Sequence, residues 1–442
     1  MQIQLSDHFT YKKLMRFVLP TIVMMIFTSI YSVVDGFFVS NFVGKTPFAA
    51  VNLIFPMLMI MGALGFMLGT GGSALVARLL GQQQPDKARQ TFSLLTYVGV
   101  VLGILLAALG IVWMRPIAVF LGAEGELVEL CCIYARILLL ALPGFMLQNM
   151  FQSFLITAER PRLGLAVTVI AGVANMVLDA LFIAVLDLGI AGAAAATAIS
   201  QMLGGVIPLV YFLLPNSSTL RLVRCRFDGK ALLKALTNGA SEFVTNISMS
   251  VVAVLYNFQL MHYAGEDGIA AYGVIMYVSF VFVAIFLGYS IGVSPIVGYH
   301  YGAENHSEMH NLFKKSMAFL TVSGLLLTLI AVALAGPLSR IFVGYDANLY
   351  ALTTHAFQLY AVSFFFCGFG IFGSALFTAL NNGAVSAAIS FLRTLVFQSL
   401  SVLVLPMIWG IEGVWYAIIV AETASAALSL AFLLKGRQIY HY

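Results

Sequence analysis

Long apolar runs broken by short polar punctuation recur along the whole chain. A helix needs ~20 residues to cross the hydrocarbon of a bilayer. Twelve runs reach that length, near 15–40, 48–77, 91–113, 128–151, 163–186, 189–213, 237–262, 269–297, 316–336, 352–380, 384–407 and 410–434. The pattern predicts an all-α polytopic membrane protein with twelve transmembrane helices. The breaks are short with one exception, the polar stretch from Asn216 to Lys234 at the midpoint. It divides the chain into an N-terminal lobe (1–215, six spans), a cytoplasmic linker (216–235) and a C-terminal lobe (236–442, six spans).

The same pattern repeats. Shifted by 221 residues, the halves align: Phe48-Ala49-Ala50 meets Ile269-Ala270-Ala271, and the loop from Arg78 to Phe92 meets Tyr299 to Phe313. Pro116 meets Pro337, Phe151 and Ser153 meet Phe372 and Ser374, and Gly189, Ile190 and Gly192 meet Gly410, Ile411 and Gly413. One constant offset matches loops as well as helices. Six spans plus six, both copies entering from the same side, form two pseudo-twofold-related six-helix bundles about an axis along the membrane normal. Bundles so related enclose a central path, and rocking them gives alternating access.

Composition agrees and fixes the orientation. Hydrophobic residues make up 61% of the chain, charged residues only 9%, and the mean hydropathy is +0.99. Soluble domains carry about 25% charged residues, so that class is excluded. The net charge of +4 is a topology signal and gives no reason to expect nucleic acid. With the N-terminus inside, the inner side collects seventeen basic residues, among them Lys12, Lys13, Arg16, Arg78, Arg160, Arg162, Arg224 and Arg437. The outer side has Lys45, Arg115 and Arg340 and a string of acids. Both termini are therefore expected in the cytoplasm and the protein in the plasma (cytoplasmic) membrane, as a monomer. The first apolar run is too long for a signal-peptide core and has no small-x-small cleavage site, so it reads as an uncleaved helix. Cys131, Cys132, Cys225 and Cys367 show no metal spacing and read as free thiols.

Within this apolar frame the polar groups stand out. Asp35 lies inside the first run, in the stretch Ser29 to Asn41, where a mid-helix carboxylate costs about 2.5–3.5 kcal/mol and so faces protein or a wet cavity. Tyr31, four residues earlier, shares its face. Asn175 and Asp179 are four apart on the fifth span, Thr197 enters the sixth, and Tyr134 lies on the fourth, all in the outer half of the first lobe by topology. Their repeat counterparts differ: Asp35 maps to Tyr256, Asn175 to Val396, Asp179 to Leu400 and Thr197 to Ile418. Such oxygen groups suit a hard monovalent cation such as Na+ at Asp35, Asn175, Asp179 and Thr197. Two carboxylates held close in a dry site equally suit a proton that comes and goes. Asn175 and Thr197 could also simply join helices.

Other polar residues carry less. Glu242, at the start of the seventh span, either reaches the inner surface or lines the cavity and is a secondary candidate. Glu422, in the twelfth span, is deep with no obvious partner. Arg136 and Arg393 read as snorkelling or structural. His300, His306 and His310 read as a solvated inner loop, and Gly69 to Gly72 as close helix packing. No nucleotide, zinc or hydrolase motif appears, and no cofactor is expected.

Taken together, the opening helix LPTIVMMIFTSIYSVVDGFFVSNFVG, the LGQQQPDKAR loop, NMVLDALFI and GIAGAAAATAISQ resemble the MATE (multidrug and toxic compound extrusion) family over essentially the whole chain. That resemblance implies an antiporter, not an enzyme, exporting organic and often cationic small molecules in exchange for H+ or Na+. It also implies a first-lobe coupling site at Asp35, Asn175, Asp179, Thr197 and Tyr31, with Tyr134 less closely matched. Glu242 stands where another branch of the family uses an acid, but the second-lobe carboxylate of that branch has no counterpart on the tenth span, which holds only His355. A lipid-linked oligosaccharide flippase of the same superfamily is the alternative. It would need several intramembrane cations for the pyrophosphate, and only Arg136 and Arg393 lie in spans.

Overall fold

In the computed structural model, the described residues are 3–38, 42–43 and 45–442, with Phe37 and Lys45 described in backbone only. The end of the first span near residue 40 and the tail of the stretch Ser29 to Asn41 lie outside them. The order is α1 (Tyr11–Phe38), α2 (Lys45–Gly81), α3 (Pro85–Phe120), α4 (Glu126–Leu140), α5 (Leu142–Thr157), α6 (Pro161–Asp179) and α7 (Gly189–Leu213). Then come α8 (Gly229–Gly302), α9 (His306–Val343), α10 (Ala347–Ala379), α11 (Gly383–Phe391), α12 (Gln398–Trp409) and α13 (Ile411–Tyr440).

Among the described residues these thirteen helices make twelve spans long and apolar enough to cross a membrane. α4 and α5 form one span bent by 54°. Pro143, at the start of α5, removes a backbone donor there, and its repeat counterpart is Phe364 in the unbroken α10. α8, at 74 residues, is two spans joined at Gly265, whose φ of 63° and ψ of −150° suit only glycine. α11 and α12 are one span joined through a π-helical turn, Leu392–Phe397. The helix ends repeat as the sequence does: α2 closes at Gly81 and α8 closes at Gly302, 221 residues on.

The connections are tighter than hydropathy predicts. Charged ends of α2, α3 and α9 remain helical beyond the apolar runs, because a helix satisfies its own backbone wherever it lies. His306 and His310 thus belong to α9, and His300, which is buried, to α8. Only Ala303 to Asn305 separates these two helices. The linker is likewise shorter, since Asp228 caps α8 by accepting from the backbone N–H groups of Lys230 and Ala231 at 3.0 and 3.1 Å. Up to Val223 it is fastened to the first lobe. Leu220 is buried in the same apolar cluster as Phe92, Phe154 and Phe212, Arg89 Nε donates to Thr219 O at 2.9 Å, and Val223 N donates to Ser93 Oγ at 2.9 Å.

The lobes meet through small residues, as expected where packing rather than water exclusion drives association. A Cβ on Gly71 would overlap Ala235 and Gly239, and one on Gly239 would overlap the Met67 carbonyl oxygen. Gly288 abuts Ile22, and Gly302 abuts Arg78. Asn238 Nδ2 donates to Gly71 O at 3.3 Å and Asn381 Nδ2 to Ala74 O at 3.3 Å. Among the described residues these cross-lobe contacts run from the N-terminal face to mid-membrane, where Ser29 Oγ donates to Phe280 O at 3.3 Å. The segment ahead of α1 adds to the seal. Leu5 and Phe9 are buried, Leu5 N donates to Glu159 of the first lobe at 2.7 Å, and His8 and Phe9 bind Glu308 of the second at 2.6 and 2.9 Å. The lobes are closed on the face that carries the N-terminus.

Candidate functional site

α1 and α6 approach closely at Gly172, where a Cβ would lie 2.5 Å from the Phe27 ring and 3.1 Å from the Tyr31 ring. That approach sets the next turns of both helices against each other. Asp35 of α1 then faces Asp179 and Asn175 of α6 directly through its side chain. Asp179 is the last α-helical residue before the π-helical turn Ala180–Val185, a deviation often found at functional sites.

Around the two carboxylates stand the remaining polar groups. Asn175 Nδ2 donates to Thr197 Oγ1 at 3.5 Å, a long bond, and Ser200 Oγ donates to Ala171 O at 2.8 Å, fixing α7 on α6. Tyr31 lies in the field of Asp35, and Tyr134 in that of both acids. Asp179, Asn175 and Tyr134 are buried, while Asp35, Tyr31 and Thr197 are partly so. Asp35 Oδ1, Asn175 Oδ1 and both Asp179 oxygens are buried without a hydrogen bond of ordinary geometry. Two carboxylates held this close, one buried and one partly so, are strongly disfavoured in the doubly charged form unless a proton or cation lies between them. The available donors to a cation are all hard oxygens, the type that suits ions such as Na+.

Glu242 is elsewhere. It sits on α8 in the second lobe, one turn beyond Gly239, partly buried and with no ion pair among the described residues. The second lobe has its own buried polar group, whose pairing sequence reasoning missed. Arg393, in the π-helical turn after α11, holds Glu422 of α13 in a two-pronged pair, Nε to Oε2 at 3.0 Å and a terminal nitrogen to Oε1 at 3.1 Å. Gln398 adds a third bond at 3.3 Å. Glu422 therefore has a partner, and Arg393 is structural rather than snorkelling. Opposite charges on adjacent spans were the signal that could have paired them. His355 also has a partner, Glu412, at 3.0 Å. The four cysteines are free, and no cluster of three His, Cys, Asp or Glu occurs among the described residues.

Two six-span lobes sealed on one face, with a buried acid pair in one lobe only, define a two-lobed membrane carrier. The chain belongs to the MatE family, whose sequence profile matches residues 20–181 and 243–403, once in each lobe. It is accordingly a multi-pass transporter and not an enzyme. Relatives include the multidrug export protein MepA of Staphylococcus saprophyticus, 25% identical over 430 residues that cover 97% of this chain and 94% of that protein. MepA of Staphylococcus aureus strain MSSA476 is 24% identical with the same coverage. Similar folds include a MATE crystallised with MaL6, with TM-score 0.92, 23% identity and 98% and 97% of the two chains covered. An outward-facing multidrug resistance MATE transporter of the MOP superfamily gives TM-score 0.90, 22% identity and 97% and 96% coverage.

Proposed function

We propose that this protein is a secondary antiporter of the multidrug-efflux type, exporting organic and often cationic compounds in exchange for H+ or Na+ by alternating access. The observation that carries the reading is the contact between Asp35 and Asp179, side by side next to Asn175 and Thr197. Relatives over nearly the full chain are named multidrug export proteins, which supports the substrate class.

The seal lies on the face that the Lys and Arg bias reads as cytoplasmic, so this is the state in which the coupling ion enters from outside. H+ or Na+ taken up at Asp35 and Asp179 removes their mutual repulsion. The hydrogen bonding of Asn175 and Thr197 then changes, and α1 is released to bend. The drug, held between the lobes, leaves to the outside because ion and drug favour different states. Tyr31 and Tyr134 wall the ion site, and Glu242, on the opposite lobe, is a secondary candidate. The protein works as a monomer in the cytoplasmic membrane with both termini inside. The flippase reading has less support, because the Arg393 guanidinium is committed to Glu422.

The test is uptake of a fluorescent cationic dye into everted vesicles under an imposed proton or sodium gradient, for wild type and Asp35→Asn. Gradient-driven uptake lost in the variant is expected. Dye uptake by neither gradient in wild type, or undiminished uptake in Asp35→Asn, would sink the proposal.

A further inference from the structure

A separate cavity of about 390 Å³ opens on the sealed face, between the start of α1 and the corner where α5 turns into α6. Arg16, Arg160 and Arg162 line it, against one carboxylate, Glu159. That carboxylate already accepts the Leu5 backbone N–H, and burial pushes it above the usual range in spite of this bond and of Arg160. Asp7, the other acid nearby, is taken by Lys13 at 2.8 Å. Arg160 donates to Ser217, but its Nε is buried without a partner. Arg16 and Arg162 are exposed and make no ion pair among the described residues.

The cavity therefore holds an excess of guanidinium groups, whose planar forks match phosphate oxygens. The start of α6, which has no side-chain cap, adds its partial positive charge to the same cavity. The remaining walls are apolar: Ile3, Phe17 and Leu163. Deeper in the membrane, Leu19 and Val23 of α1 and Ile170 and Val173 of α6 are exposed, offering a surface for acyl chains directly under the arginines.

We propose that this cavity binds a phosphate oxyanion, and that its occupant is the head group of an anionic phospholipid from the leaflet next to the N-terminus. Basic pockets between helices at that level hold anionic head groups by the same electrostatics. The inference does not depend on which ion or drug the carrier handles.

The experiment titrates the full-length protein in neutral detergent with phosphatidylglycerol or phosphatidylcholine and reads bound lipid by native mass spectrometry. Wild type is compared with Arg16→Gln/Arg162→Gln and with Lys87→Gln/Lys230→Gln, which loses the same charge away from the cavity. Each lost arginine should weaken phosphatidylglycerol about five-fold, so the arginine variant should bind roughly twenty-five-fold less tightly, with phosphatidylcholine unaffected. No loss in the arginine variant, or an equal loss in the lysine variant, would overturn the proposal. A parallel arm reads thermal stabilisation by inorganic phosphate. Arginine-dependent stabilisation by phosphate, without arginine-dependent binding of phosphatidylglycerol, would support the oxyanion pocket and overturn its lipid occupant.

Discussion

Gly71 of α2 and Gly239 of α8 meet backbone to backbone across the two lobes, with no room for a side chain on either. Gly239→Val overpacks this contact, which costs typically about 1–3 kcal/mol and falls on the sealed state alone. The variant should fold but favour the opposite state. In an Ala74→Cys background, whose reporter is buried at the seal, maleimide labelling should speed up by about ten-fold or more. Unchanged labelling would mean that the seal does not depend on this contact.

Asp179→Asn removes one of two facing carboxylates while keeping the shape of the side chain. Relief of like-charge crowding should stabilise the purified protein by about 1 kcal/mol, seen as a rise of a few degrees in unfolding temperature. On the proposed mechanism the same variant loses gradient-driven export. A drop in unfolding temperature would contradict the crowding argument.

Arg393→Met leaves Glu422 buried and unpaired, a loss typically of about 3–5 kcal/mol. Arg393→Met/Glu422→Gln should recover most of it. Thermal unfolding of the two single variants and the double variant gives the coupling directly. Additive losses would show that the groups act independently.

The seal should also answer to acid. α9 has 38 residues, about 57 Å at 1.5 Å per residue, so its first turn projects beyond the ~30 Å hydrocarbon layer. There, burial alone would raise the Glu308 carboxyl, but donors from Phe9 N, Asn311 and His8 outweigh it and hold it below its ordinary value of 4.5. A lowered carboxylate stabilises the docked segment above the ordinary value, and that stabilisation disappears as pH falls through the lowered one. Hydrogen exchange of residues 3–10, corrected for intrinsic rates, should stay slow at neutral pH and rise well below pH 4.5. Glu308→Gln should show the fast rate already at neutral pH.

Hydropathy and the 221-residue offset made the spans and the two lobes readable, because the bilayer imposes one length and one chemistry on every helix. Asp35, Asn175 and Asp179 were readable for a related reason: in an apolar run a polar side chain has nowhere to hide. Pairings were another matter. Glu422 lies 29 residues from Arg393 and Glu308 lies 300 from His8, and one periodic pattern says nothing about which faces of two helices meet. Gly172, which lets α1 and α6 converge, looks in sequence like any other small residue. The bend at Pro143 and the π-helical turn after Asp179 also escaped a reading based on average helix geometry.

The linker's attachment to the first lobe sets a mechanical limit. Tyr97 holds the Val223 carbonyl at 3.3 Å, and α8 begins at Gly229, leaving Arg224 to Asp228 as free tether. The six extended steps from Val223 to Gly229 span at most about 22 Å. Unless the tether's anchors give way, that leash length caps how far the second lobe can draw back from the first along this face, and lengthening or shortening it by a few residues is a direct handle on the stroke.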